Sequence, residues 1–321
     1  MTHSRIAPHQ GQASIVTVTL NPALDLTGQL AALQVGEVNK VNAAHLRPAG
    51  KGVNVAMVLA DLGASVIATG LVGKESHAQF SALFAQYGIT DAFVDIEGSC
   101  RINVKVAEDS GRISDINFPG SAIHPDDLVI FEKRLFMLAE QHTVFVFAGS
   151  LPEQLPPETL QRWLTHLSNQ GKQVIFDSSG DAFAAGIRAL PFLIKPNESE
   201  LGEYLNAPID TLAQAKRAAV ELSQTGLSHV VVSMGEKGVL WQSAQQTLHA
   251  TPPAVPIAST VGAGDTLVAG LTFGHLQDWE MEKTLQFATA LSAMAVSQLG
   301  VGMKDDNTLD ELIARTVVTS L

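Results

Sequence analysis

A chain of 321 residues, 46% hydrophobic and 16% charged, can bury a sizeable core, and that length suits one large α/β unit with an appendage. The formal net charge of -12 argues against nucleic acid and anionic membrane as main partners, because both would repel the chain on average. An anionic small molecule stays open where lysines, arginines and backbone amides gather locally.

The start, MTHSRIAPHQGQ, lacks an apolar signal core, and residues 1–12 are expected to be a mobile tail. The apolar runs are too short and too often interrupted to span a bilayer, and the single Cys100 cannot form an internal disulfide. A reducing cytoplasm is the expected setting.

After the tail, SIVTVTL is a β-rich apolar run stopped by Asn21 and Pro22, which predicts a central strand. Residues 24–47 are mixed, with LDLTG and VNKVN expected as short half-polar strands. GVNVAMVLADLG predicts a helix capped at its end by Gly63, and SVIATGLVG returns as a strand. SHAQFSALFAQYG repeats the helical pattern, with Phe80, Leu83, Phe84 and Tyr87 on one face, Ser76 as candidate cap and Gly88 at the end.

RINVKVAEDSGRISDINF predicts a hairpin turning at Asp109, Ser110 and Gly111, and its polar faces set it apart from the main sheet. From there the order is regular. PDDLVIFEKRLFMLAEQ, PPETLQRWLTHLSNQG and DAFAAGIRAL read as helices between the strands TVFVFAG, QVIFD and FLIKP. ESELGEYL and TLAQAKRAAVELSQTG are further helices before the strand HVVVSMG. Continuous apolar strands alternating with helices mean a parallel sheet covered on both faces. The remainder is expected to be helical: the stretch after Asp265, MEKTLQFATALSAMAVSQLG and TLDELIARTVVT.

Ligands of open parallel sheets gather outside the carboxyl ends of the strands. The residues there are NPALD, AGSLP, DSSG, KPNESE and SMGEKG, polar turns of the kind a crevice needs, though ordinary connections look similar. In STVGAGDTLVAG, Asp265 occupies the place where a Walker loop has its lysine, and Leu267 the place of the third glycine of a dinucleotide fingerprint. Phosphoryl transfer to a hydroxyl fits instead. Amides of Gly262, Ala263 and Gly264 at a helix start can donate to a transferring phosphoryl group, and Asp265 can accept the hydroxyl proton. Asp265 as a plain helix cap is an equal reading of the residues alone.

In RPAGKGVNVAMVLADLG, Gly50 and Gly52 permit close backbone approach, Lys51 brings charge, and Asn54 offers donor and acceptor to a polyhydroxylated ligand. A bland glycine turn with an exposed lysine remains its competitor. On the hairpin, the strand period puts Arg101, Asn103 and Lys105 on one face, as an anion receptor or as a solvated surface.

GKGVN and STVGAGDTLVAGL together resemble the two signatures of the ribokinase-like (PfkB) sugar kinase family. The likeness runs over nearly the whole chain from about Ile15, through VTLNPALD, GSLP, DSSG, KPN followed by Glu200, and SMGEKG. It implies a three-layer αβα sandwich over residues 13–321, a mainly parallel central sheet, and a small β-sheet lid from about residues 24–47 and 97–120. It also implies Asp265 as catalytic base and Gly262, Ala263 and Gly264 as anion hole. Asp25, Gly50, Lys51, Gly52 and Asn54 then fall on the sugar-phosphate site, with Arg101 and Lys105 from the lid and Ser150 from a strand-end loop. Lys195, Asn197, Ser233, Gly235, Gly238 and Ser259 fall around ATP, and Asn197 with Glu200 around magnesium held through water.

The implied reaction carries a phosphoryl group from ATP to the 6-hydroxyl of fructose 1-phosphate. Tagatose 6-phosphate and fructose 6-phosphate are rival acceptors within the family, and a sugar-phosphate sensor without useful catalysis is the rival from another class. A homodimer through the lid is implied, and a monovalent cation near Ser259 and Val261 stays open.

Overall fold

The computed structural model describes residues 15–298, 300–302 and 306–321. The expected tail, residues 1–12, lies outside the described residues.

The chain opens with β1 (Ile15–Thr19), β2 (Ala23–Leu30) and β3 (Ala43–Ala49), then α1 (Lys51–Asp61), β4 (Val66–Gly73) and α2 (His77–Tyr87). Short strands β5 (Thr90–Asp91) and β6 (Val94–Ile96) precede the hairpin of β7 (Arg101–Glu108) and β8 (Ile113–Asn117). Then α3 (Pro125–Gln141), β9 (Val144–Ala148), α4 (Pro157–Asn169), β10 (Gln173–Asp177), α5 (Gly180–Ile187) and β11 (Leu193–Ile194) alternate. After α6 (Glu198–Leu205) and α7 (Leu212–Ser223) come β12 (His229–Ser233), β13 (Val239–Ser243) and β14 (Thr247–Thr251). The last elements are α8 (Ala263–Leu276), α9 (Met281–Val296), α10 (Asp306–Arg315) and β15 (Val317–Ser320).

Among the described residues the main sheet has eleven strands, ordered β15-β14-β13-β12-β11-β10-β9-β1-β4-β5, with β6 also on β4. From β12 to β5 the neighbours are parallel, whereas β13, β14 and β15 are added antiparallel. The pleat sorts alternate side chains into two cores. Ile15, Val144, Val146, Ile175 and Val231 pack with α1, α8 and α9, while Val16, Val18, Phe145, Phe147, Val174 and Phe176 pack with α3 to α7. Burial on both faces is why these strands are apolar throughout, and it produces the expected αβα sandwich.

The second sheet, ordered β3-β2-β7-β8, is the expected small β-sheet. Leu26 pairs with Leu46 and Val104, and Val104 with Ile116, so one row of one face is wholly apolar. The adjacent row, Arg47, Asp25, Asn103 and Asn117, points to the opposite face and is polar. No helix among the described residues is long and apolar enough to cross a membrane.

Some local expectations are corrected. VNKVN is loop, and the strand lies over AAHLRPA, where pairing with β2 overrides weak β propensity. Ser76 takes the N-cap position of α2 without capping it, because its hydroxyl accepts from the Cys100 N–H at 3.0 Å. The helix expected through TLDELIARTVVT stops at Arg315, and Val317–Ser320 turns into a strand against β14. VLWQS and TLHAT form the unanticipated hairpin β13–β14.

Candidate active site

The carboxyl ends of the central strands and the polar face of the second sheet enclose one cavity of about 820 Å³. Its floor is the start of α8. Gly262 takes the N-cap position with φ +82°, a left-handed conformation open to glycine. The first amides of α8 have no intrahelical carbonyl to bind and carry the positive end of the helix dipole. Asp265 stands in this first turn, buried, with Oδ2 accepting from Asn54 Nδ2 at 2.7 Å. Burial, and then the negative charge of Asp177, push the Asp265 carboxyl up to about 6, against the pull of Asn54, Lys51 and Lys195.

Asp177, at the end of β10, is 1% exposed and sits between two ammonium groups. Lys51 Nζ lies 3.5 Å from Oδ2 and Lys195 Nζ 3.4 Å from Oδ1. Lys51 is also 4.0 Å from Glu200 Oε1. Burial disfavours the Lys51 ammonium, but Asp177, Asp265 and Glu200 outweigh it, and its pKa is raised. The result is a compact group of alternating charges under the helix start.

Backbone geometry brings Lys51 and Asn54 here. Gly50 has φ +145°, and α1 begins so close to β1 that a Cβ on Gly52 would lie 2.8 Å from the Val18 carbonyl oxygen. Gly52 is therefore buried beneath the site, whereas Gly50, Lys51 and Asn54 line it.

The roof is supplied by β2 and β7. Lys105 Nζ lies 3.1 Å from Asp25 Oδ2, Asn103 Nδ2 donates to Asp25 Oδ1 at 2.9 Å, and Arg101 Nη1 donates to Asn103 Oδ1 at 3.0 Å. Burial lowers the Arg101 pKa, with Asp25 opposing it, although the guanidinium stays charged.

At the far end, Ser233, Gly235 and Gly238 line the cavity where β12 gives way to a 3-10 turn over Gly235–Lys237. Beyond them Pro252, Pro253, Ala254, Val255 and Ile257 face Thr289, Ser292, Ala293 and Val296 of α9. The spacing of these α9 residues puts them on one helix face. A slot with apolar walls of this kind suits a flat base.

Asn197 and Glu200 form a capping box at α6: Asn197 Oδ1 accepts from Glu200 N at 2.8 Å, and Glu200 Oε2 from Asn197 N at 2.9 Å. Glu200 Oε1 is left towards Lys51. Among the described residues no group of three or more His, Cys, Asp or Glu side chains is placed to hold a metal directly. This donor set fits magnesium held through water and substrate phosphates, the ion's common mode, rather than a protein cage.

Gly262, Ala263, Gly264, Lys195, Asn197 and Glu200 all line the cavity, as do the expected residues described above other than Gly52. Ser150 and Ser259 are not among the residues lining it: the Ser150 hydroxyl accepts from Asn21 Nδ2 at 3.2 Å, and that of Ser259 from Val261 N at 3.2 Å. Sequence reasoning gave no role to Asp177 or to the apolar slot. DSSG at a strand end pointed towards the first, but nothing in PPAV marks a ligand wall.

A covered parallel sheet with a buried acid at a glycine-started helix, lysines beside it and a small β-sheet above defines a kinase acting on a small hydroxylated molecule. The pfkB family of carbohydrate kinases matches residues 18–307, and the chain belongs to that family. It is similar to the 1-phosphofructokinase of Vibrio cholerae serotype O1, 50% identical over 307 residues, 96% of this chain and 97% of that protein. The 1-phosphofructokinase of Escherichia coli K12 is 42% identical over 301 residues, 94% of this chain and 96% of the relative. Phosphofructokinase-2 from Escherichia coli, solved in complex with potassium, superposes with a TM-score of 0.88 at 28% identity, over 94% of this chain and 99% of that one.

Proposed function

We propose that this kinase is a 1-phosphofructokinase, moving the γ-phosphoryl group of ATP to the 6-hydroxyl of fructose 1-phosphate. The kinships above and the charge layout of the cavity support that reading. The observation that carries the chemistry is Asp265, a buried acid with its carboxyl raised to about 6 in the first turn of α8. Such a group is ionised at neutral pH yet is a better proton acceptor than a solvated carboxylate.

Asp265 takes the hydroxyl proton as the sugar oxygen bonds to the γ-phosphorus. The bond from phosphorus to the β,γ-bridging oxygen breaks, and ADP leaves with that electron pair. Gly262, Ala263 and Gly264 form the anion hole, whose amides donate to the phosphoryl oxygens, and Lys51 and Lys195 offset the charge. Asp25, Gly50, Asn54, Arg101 and Lys105 bind the sugar phosphate, and the Ser233–Gly238 turn with the apolar slot binds the nucleotide. Asn197 and Glu200 hold magnesium through water, and the ion supplies charge neutralisation at the phosphates. A monovalent cation near Ser259 and Val261 is part of the proposal, on the analogy of the potassium complex of phosphofructokinase-2.

The chain is proposed to act as one kinase domain whose lid, β2, β3, β7 and β8, also pairs two copies. Leu46 and Ile116 in the apolar row are each 50% exposed, and a second lid would take that row out of water. Asp265→Asn tests the chemistry: both ligands still bind, while turnover falls by about 10²–10⁴-fold, the usual worth of a positioned base. Near-normal turnover would remove the base assignment.

A further inference from the structure

We infer that Asn103 is a positioning residue for the sugar-phosphate end of the cavity, an inference that rests on the reading of that site given above. Asn103 lies in β7, paired in register with Asp25 of β2 and with Asn117 of β8, and it lines the cavity. Its carboxamide is used at both ends. Oδ1 accepts from Arg101 Nη1 at 3.0 Å and Nδ2 donates to Asp25 Oδ1 at 2.9 Å. The orientation is dictated by the partners, since a guanidinium only donates and an ionised carboxylate only accepts.

Two further contacts complete the array. Asp25 Oδ2 takes Lys105 Nζ at 3.1 Å, and Arg101 Nε donates to the Asn21 carbonyl at 3.3 Å. Arg101 and Asp25 are opposite charges on neighbouring strands, and a bidentate pair between them would cancel the cation that a phosphate needs. Asn103 stands between them and satisfies each separately. Among the described residues, Nε and Nη1 of Arg101 are thereby engaged and Nη2 is left to meet an anion. Asn103 thus sets the direction of the receptor without itself needing to touch substrate.

The residue type follows from this geometry. Leu at this position keeps the bulk and loses both bonds. Asp keeps the acceptor for Arg101 but sets one carboxylate against another on Asp25.

The experiment compares wild type, Asn103→Leu and Asn103→Asp, with Asn103→Ser as a third variant should either fail to fold. KM for fructose 1-phosphate is expected to rise about tenfold in Asn103→Leu, the scale of the one charge-assisted hydrogen bond that a misaimed Arg101 would lose to the phosphate, and further in Asn103→Asp. KM for ATP and the melting temperature stay near wild type. Combining Asn103→Asp with Asp25→Asn, which reverses donor and acceptor across that bond, gives a smaller KM penalty than the product of the two single penalties. Wild-type KM for the sugar phosphate in the folded variants, an equal rise in KM for ATP, or no coupling in the double variant would each overturn the assignment. A wild-type protein that turns over no sugar phosphate would instead overturn the reading of the site, and this assignment with it.

Discussion

Asn54 Nδ2 donates to Asp265 Oδ2 at 2.7 Å, joining the first turn of α1 to the first turn of α8 across the cavity. The bond favours the ionised acid, so it opposes the burial that raises the Asp265 carboxyl to about 6. A base must be ionised to act, and the wild-type kcat/KM is expected to fall tenfold per pH unit below about 6. In Asn54→Leu the supporting donor is gone, and the acidic limb moves to higher pH. A pH profile of kcat/KM checks this; a limb that stays in place would show that the bond does not tune the base.

Asp177→Asn moves the same limb the other way. The Asp177 charge raises the Asp265 pKa, so its removal lets Asp265 ionise at lower pH. The substitution also strips the buried Lys195 of its 3.4 Å partner, and stranding a buried charge costs on the order of 3–5 kcal/mol. The expected combination is an acidic limb shifted downward in a protein with a clearly lower urea midpoint. Pairing the profile of Asp177→Asn with that of Asn54→Leu separates electrostatic tuning from general damage, which would not shift the two limbs in opposite directions.

A second pH dependence belongs to stability. Burial, and then the neighbouring His275, lower His229 to about 4, and its Nδ1 accepts from Trp241 Nε1 at 3.1 Å. The folded pKa lies below the unfolded one of about 6.5, so the folded state favours the neutral ring. Its contribution is fully present above about 6.5 and is lost as pH falls towards about 4. Asp265 has the opposite sign: its raised pKa adds stability at low pH that is lost as pH rises through about 6. The difference between wild type and His229→Phe isolates the histidine. Denaturation midpoints against pH should show a shallower acid decline in the variant, and parallel curves would contradict the assignment.

How much of the fold is legible in the amino-acid sequence follows from which forces are local. VFVFA, QVIFD and HVVVS are buried on both faces, and their unbroken apolar character is legible as central strands. Pro125 and the acids of the first turn mark the start of α3, and Asn197 with Glu200 marks α6 through the capping box. The hairpin of β13 and β14 carries Gln242, Ser243, Thr247 and His249 among its apolar residues, and β15 continues an apolar pattern from α10, so local periodicity does not separate them. The site divides in the same way. GAGD and GKGVN carry their chemistry within a few residues, whereas Asp177 matters through Lys51 and Lys195, which only the fold brings to it. Asn103 is legible as a residue on the same strand face as Arg101 and Lys105, but its partner Asp25 is reached only through the parallel pairing of β2 and β7.

The most direct test of the proposed function is ADP release measured side by side with fructose 1-phosphate, fructose 6-phosphate and tagatose 6-phosphate. The proposed function predicts the highest kcat/KM with fructose 1-phosphate and a bisphosphate product carrying the new group on the 6-hydroxyl. A higher kcat/KM with either 6-phosphate, or no ADP from any of the three, would contradict it.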